Sequence, residues 1–183
     1  IVSVDTTSPE VAERALALGA GVINDVSCLA DDALARVTAR GGGVLIVMHS
    51  REPMSELGGY SEYPDSAYED VVADVLREWR RARDRAVAAG MSAADVWLDP
   101  GLGFAKNARQ SFELLRRLNE LTHEGVPVVV GPSRKSFIAA LDGAPARERL
   151  GGTIAACLHA VDRGARMLRV HDVRVVRQAL VVA

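Results

Sequence analysis

Aromatic side chains make up only 4% of these 183 residues, so a stacking platform for nucleic-acid bases is excluded as a main feature. Lysine is nearly absent. Of 22 basic residues only Lys106 and Lys135 are lysines, and the rest are arginines. The net charge of -2 provides no single-sign field for nucleic acid or an anionic membrane surface. Cysteine occurs twice, as Cys28 and Cys157, in neither ligand nor redox spacing. Both read as buried thiols of a cytoplasmic protein. No apolar run approaches the roughly 18 residues of a membrane span, and no secretory signal is visible. Linkers and low-complexity tracts are also missing, so residues 1–183 read as one domain.

What the chain has is a set of six short apolar runs, each ending in a polar group. Ile1-Val2-Ser3-Val4 ends in Asp5, Val22-Ile23 in Asn24-Asp25, and Val44 to Met48 in His49. Val96-Trp97-Leu98 ends in Asp99, Val126 to Val130 in Gly131-Pro132-Ser133-Arg134-Lys135, and Met167-Leu168 in Arg169-Val170-His171-Asp172. Helical patterns lie between them, and strand–helix alternation means an α/β fold with a parallel sheet. In such sheets the carboxyl ends of the strands line the site. The scattered polar endings therefore belong to one pocket.

The spacing predicts helices over about 8–18, 31–40, 65–89, 107–121, 135–141, 146–163 and from about 172 onward. Val11, Ala15 and Leu18 are the expected inner face of the first. Phe112, Leu115 and Leu118 are that of the fourth. Residues 50–64 carry two glycines, two prolines and two tyrosines, and read as a mobile loop beside the site. Six βα units result. A closed (β/α)₈ TIM barrel needs eight and about 250 residues, so the expectation is an incomplete barrel whose first two units are absent.

Asp5, Asn24 and Asp99 offer converging acceptors and one amide. That set suits a flat heterocycle with an amino group and ring N–H groups beside a carbonyl, such as guanine or a pterin. Paired acids also suit a divalent metal, and Asp5 or Asp25 could simply cap a following helix. Asp99-Pro100-Gly101-Leu102-Gly103-Phe104-Ala105-Lys106 places a carboxylate before a loop whose glycines allow close backbone approach. Ser133-Arg134-Lys135 adds cations to the same rim. Arg169 and His171, two apart on a strand, should point the same way and clamp a diphosphate. The alternatives are, for Arg169, a partner for Asp172 or for an acid on a neighbouring strand and, for His171, a satisfied structural histidine. Lys106 is read as either functional or incidental. His49, His123 and His159 carry no such expectation.

Val4-Asp5-Thr6-Thr7, Ile23-Asn24-Asp25-Val26, Asp99 to Asn107, Ser133-Arg134-Lys135-Ser136 and Arg169 to Val173 resemble the dihydropteroate synthase family, in order and spacing over the whole chain. The resemblance implies a folate-pathway transferase and sulfonamide target. Such an enzyme joins 6-hydroxymethyl-7,8-dihydropterin diphosphate to p-aminobenzoate and releases diphosphate. It implies that Asp5, Asn24 and Asp99 bind the pterin edge, that Lys135 sits on the pterin and that Arg169 stacks against it. Arg169 and His171 would hold the diphosphate, and Phe104 and Ser133 would face p-aminobenzoate. Lys135, Arg169 and His171 would be the catalytic set. The family is typically a homodimer through its late helices, here the small-residue stretch from Ala146 to Arg163 and the C-terminal helix. It also uses Mg²⁺, whose principal ligand and two covering loops belong to the first units, so this chain alone is expected not to turn over. Two departures are visible: the charged stretch His49-Ser50-Arg51-Glu52-Pro53-Met54 and Ala105 in place of a glycine. A methyltransferase acting on methyltetrahydrofolate would share the pterin edge but needs no diphosphate clamp, and a non-catalytic pterin-binding fragment needs neither clamp nor loops.

Overall fold

The computed structural model describes residues 1–52, 61–140 and 142–183. The expected loop over 50–64 therefore falls largely outside the described residues, as does Leu141. Six parallel strands follow the six apolar runs: β1 (Ser3–Asp5), β2 (Val22–Asp25), β3 (Val44–Met48), β4 (Val96–Asp99), β5 (Val129–Val130) and β6 (Met167–Leu168). β1 to β4 pair in sequence order, and β5 pairs with β6. A parallel bridge from Leu98 to Val128 joins the two sets. The result is one arc of consecutive parallel strands, as the strand–helix alternation predicts.

Helices α1 (Pro9–Ala17), α2 (Asp32–Arg40), α3 (Val71–Ala88), α4 (Ala108–Arg116), α5 (Leu118–Thr122), α6 (Leu150–Asp162) and α7 (Val173–Val182) fill the connections. Their starts are chemically explicit. The Ser8 hydroxyl accepts from the Val11 amide and Pro9 opens α1; Asp70 accepts from Val72 and Ala73. Asn107 and Gln110 form a reciprocal cap on α4. Leu34, Val72, Trp79, Leu114 and Leu118 pack against Ile23, Leu45, Val47 and Leu98 in the main core.

Several helical expectations are corrected. Residues 65–67 form a separate 3₁₀ turn, and α3 waits for the Asp70 cap. The stretch 107–121 breaks at Arg117, which leaves helical geometry (φ -102°, ψ 23°). Residues 136–140 and 146–148 are 3₁₀ turns rather than α-helix. Val11 and Leu18 face outward, because the inner face of α1 is set by Ala12, with Ala15 and Leu16 beside it. A small side chain lets α1 approach the sheet and α2. Phe112 is also exposed, although its ring meets Phe137 edge-on at 5.3 Å.

Strand alternation then places the site. Val22, Ile46 and Val129, with Val44 and Trp97, form a second apolar cluster. Two residues further along the same strands come Asn24, Met48, Gly131 and Asp99, which project to that same face. An apolar floor thus lies beneath a polar upper layer, the layered filling of a (β/α) barrel.

Candidate active site

The upper layer surrounds a cavity of about 460 Å³, lined by one residue from each strand or strand end: Asp5, Asn24, Met48, Asp99, Gly131 and Arg169. Lys135 and Phe104 enter from the loops. Six of the eight expected site residues therefore share one cavity. Ser133 and His171 lie beside it and are held by each other.

Two of the three pterin-edge candidates are already in contact. Asn24 Nδ2 donates to Asp5 Oδ1 (3.1 Å), and the parallel register places Asp5 opposite Asn24. Asp99 is 6% exposed, and its Oδ1 accepts from the Gly101 amide at 2.8 Å. A carboxylate has about four lone-pair positions, so these bonds leave acceptors for a ligand. Burial pushes the Asp99 carboxyl up, and the lysines and Arg169 pull it back. Asp25, by contrast, takes its bland alternative: it accepts from Ser27 and Leu29 and pins a turn in which Cys28 and Leu29 have positive φ.

Lys135 Nζ stands 3.4 Å from the centroid of the Phe104 ring, a cation–π contact within the cavity. Burial lowers its pKa to about 8. A flat ligand entering here would meet an aromatic face, an ammonium and two carboxylates.

The two clamp candidates take different partners. Arg169 and His171 both lie beyond the end of β6 at Leu168. Arg169 Nη2 pairs with Asp5 Oδ2 at 2.5 Å, joining the end of the last strand to the end of the first. His171 turns to Ser133: its amide donates to Ser133 Oγ (3.2 Å), and Oγ lies 2.9 Å from Nδ1. With Oγ accepting from the amide, its own hydrogen can go to Nδ1, which leaves Nε2–H as the outward donor. The Ser133 hydroxyl is thus spent on His171 rather than aimed into the cavity. Beside them Arg134 grips Asp172 with two nitrogens (2.8–3.0 Å), so Asp172 pairs with Arg134 and not with Arg169.

Sequence reasoning missed a buried charged cluster under the same rim. His49 is fully buried, with Nε2 2.8 Å from Glu78 Oε2 and Nδ1 2.9 Å from Lys106 Nζ. Arg51 donates to both Glu78 oxygens and to Asp74, and its guanidinium covers the Tyr68 ring at 3.9 Å. Burial, then Lys106, lowers the His49 pKa to about 4. Burial pushes the Glu78 carboxyl up, but bonds from His49 and Arg51 outweigh it and hold it near 2. Two signals pointed this way: His49 ends a strand as Asp5 and Asp99 do, and Lys106 is one of two lysines. Glu78 lies mid-helix and carried none.

Among the described residues no group of three or more His, Cys, Asp or Glu is placed to hold a metal ion, and the Asp5 oxygens are engaged by Asn24 and Arg169. The residues here do not fit a resident Mg²⁺. No helix among them is long and apolar enough to cross a membrane.

A parallel α/β arc with a polar cavity at its carboxyl ends defines a barrel-type binding site for a small molecule. The profile of the family described as pterin binding enzyme matches residues 1–171, and the chain belongs to that family. Its relatives include the dihydropteroate synthases of Synechocystis sp. (39% identical over 184 residues) and Mycobacterium leprae (42% over 188). These cover 100% and 99% of this chain, but the chain spans only 62% and 65% of those proteins. A crystal structure of the Thermus thermophilus dihydropteroate synthase in complex with 4-aminobenzoate superposes with a TM-score of 0.88 at 44% identity, covering 99% of this chain and 68% of that one.

Proposed function

We propose that residues 1–183 form one pterin-binding domain and carry most of the substrate pocket of a cytoplasmic transferase in folate biosynthesis. The reaction joins 6-hydroxymethyl-7,8-dihydropterin diphosphate to p-aminobenzoate. A C–N bond forms at the pterin methylene as its C–O bond to diphosphate breaks and the amine nitrogen sheds a proton, giving 7,8-dihydropteroate, diphosphate and a proton. The observation that carries this reading is the cavity, where Asp5, Asn24, Asp99, Lys135 and Arg169 converge from separate strand ends and loops. The relatives' names and the 4-aminobenzoate in the Thermus thermophilus structure support it.

In this reading Asp99, Asp5 and Asn24 take the amino and ring N–H edge of the pterin. Lys135 lies against the ring, and Arg169 leaves Asp5 to stack on it and meet the diphosphate. His171, turned by Ser133, donates Nε2–H to the same anion. Phe104 faces the aminobenzoate, and Ser133 reaches that substrate only from behind His171. Positive charge develops at the methylene as diphosphate leaves, so fixed charges supply most of the catalysis. Magnesium, which the resemblance brings with it, is proposed as a partner of the diphosphate; among the described residues no group of three or more His, Cys, Asp or Glu would hold it.

The test is calorimetric titration of this chain with 6-hydroxymethylpterin, its 7,8-dihydro diphosphate and methyltetrahydrofolate. Preference for the diphosphate ligand supports the synthase reading. Preference for methyltetrahydrofolate would favour a methyltransferase. A coupled assay for 7,8-dihydropteroate tests turnover by the 183-residue chain directly.

Assembly is proposed as a homodimer through α6 and α7. Gly151 and Ala155 face outward on α6, and Val173, Val181 and Val182 do so on α7. Gly152 is instead used internally, since a Cβ there would lie 2.3 Å from Ile138. Light scattering that shows a monomer at micromolar concentration would remove this proposal.

A further inference from the structure

Lys106 is fully buried and does not line the cavity, yet it holds backbone carbonyls of the loop that carries Asp99 and Phe104, which do. Its Nζ donates to the carbonyls of Phe104 (2.9 Å), His49 (3.1 Å) and Gly101 (3.2 Å), and lies 2.9 Å from His49 Nδ1. An ammonium has three hydrogens for these four acceptors, so none remains for a ligand. Because Nδ1 faces that ammonium as an acceptor, His49 carries its hydrogen on Nε2 and donates it to Glu78.

The grip extends to Asp99. The His49 amide donates to the Asp99 carbonyl (2.9 Å), and the Gly101 amide donates to Asp99 Oδ1 (2.8 Å). Gly101 is thus held on both sides, its N–H by Asp99 and its C=O by Lys106. The fit allows no other residue: Gly101 has φ +65°, and a Cβ would lie 2.1 Å from the His49 carbonyl oxygen. With Oδ1 committed, Asp99 has Oδ2 to turn toward the cavity. The Phe104 carbonyl is held by the same ammonium that holds Gly101, so the ring under Lys135 is anchored too.

We propose that Lys106 is a positioning residue, bracing the loop from Asp99 to Phe104 from inside the core so that Asp99 Oδ2 keeps the geometry that accepts the pterin, with the Phe104 ring held beside it. This rests on the pterin reading of the cavity. It also accounts for one of only two lysines in a chain whose other basic residues are all arginine. A compact ammonium can reach three carbonyls pointing inward from different directions, whereas a planar fork cannot. Burying that charge is costly unless it is fully hydrogen-bonded, and burial does lower its pKa to about 7.

The test compares wild type, Lys106→Met and His49→Gln, each titrated calorimetrically with 6-hydroxymethylpterin and separately with inorganic pyrophosphate. Methionine keeps the reach of the side chain without its donors. Lys106→Met should weaken the pterin at least tenfold and pyrophosphate by less than twofold. Amide exchange at residues 101–106 should rise. Combined with Asp99→Asn, it should cost no more than Asp99→Asn alone, within twofold, because both act through one carboxylate. Equal losses for both probes would reduce Lys106 to a general fold support and overturn the proposal, as would unchanged pterin affinity in a folded variant. If Lys106→Met does not fold, His49→Gln decides. It removes the ring acceptor but leaves the carbonyls, and should weaken only the pterin, by about threefold; no selective loss there overturns the proposal. Wild-type protein that binds no pterin would refute the pterin reading itself, and this inference with it.

Discussion

Asp99 and His171 stand on opposite sides of the same mouth, and the chain fixes them by different means. Asp99 belongs to a four-stranded ladder and is paired through its backbone with Met48. Its loop is then locked from below by Lys106. His171 follows a strand of two residues, paired only with another of two. It is held by side chains: Ser133 on its ring and, next door, Arg134 on Asp172. Thr153 and Arg149 in turn fix the Arg134 backbone, which sits at φ +57°. A heterocycle with a fixed donor pattern needs acceptors set by a rigid frame. A diphosphate is a diffuse anion and tolerates donors held by adjustable ion pairs.

The largest contrast should appear in acid. His49 has a folded pKa near 4 against about 6.5 when unfolded. The unfolded chain therefore takes up a proton that the folded one refuses. Stability from this group is complete above pH 6.5, falls as pH drops toward 4, and changes no further below that. The full shift corresponds to about 3 kcal/mol. Urea unfolding between pH 6.5 and 4 should show this slope, and His49→Gln should flatten it. Amide exchange should report acid loosening around Gly101 before it does around His171; simultaneous loosening would erase the distinction between the two sides.

Next in size is Asp99→Asn. It replaces an acceptor with a donor, and a charge-assisted hydrogen bond is worth about 1.5–3 kcal/mol. Pterin affinity should fall more than tenfold and pyrophosphate affinity should hold. Calorimetry showing unchanged pterin binding would remove Asp99 from the edge. Asp172→Asn tests the other side. It loosens Arg134 and with it the Ser133–His171 pair, and should weaken pyrophosphate by about fivefold, roughly 1 kcal/mol, with little change for the pterin. Equal weakening of both ligands would mean that the two sides are mechanically one.

The smallest effect concerns Ala105, which occupies φ +45°, a region that favours glycine. Ala105→Gly should relieve strain worth somewhat less than about 1 kcal/mol, offset in part by the greater freedom of glycine when unfolded. A small rise in the urea midpoint is expected, and a fall would show that the Tyr68 hydroxyl bond to the Ala105 carbonyl (2.8 Å) depends on the alanine.

The ladder side was the more legible of the two in the sequence. Strand ends are marked by composition, and alternation carries a polar residue from Val22 to Asn24 or from Trp97 to Asp99 without knowledge of the fold. The clamp was not legible in detail. Whether residues 169 and 171 point together depends on where pairing stops, and two-residue strands give no periodicity to read. The inner face of α1 was misplaced for a related reason, whereas Leu115 and Leu118 are buried as expected. Val11 and Leu18 are more apolar than Ala12, yet the close approach of α1 selects the smaller side chain. Glu78 was invisible because a carboxylate in mid-helix is ordinarily solvated; only the fold brings His49 and Arg51 to it.

The Arg169–Asp5 pair links positions separated by 164 residues. In kinetic terms the two sides of the pocket cannot meet until nearly the whole chain has been ordered, since long-range closure comes after local helix and neighbouring-strand contacts. The mouth is therefore a late structure on the folding route. Recovery of ligand binding after dilution from denaturant should lag behind recovery of the helical signal.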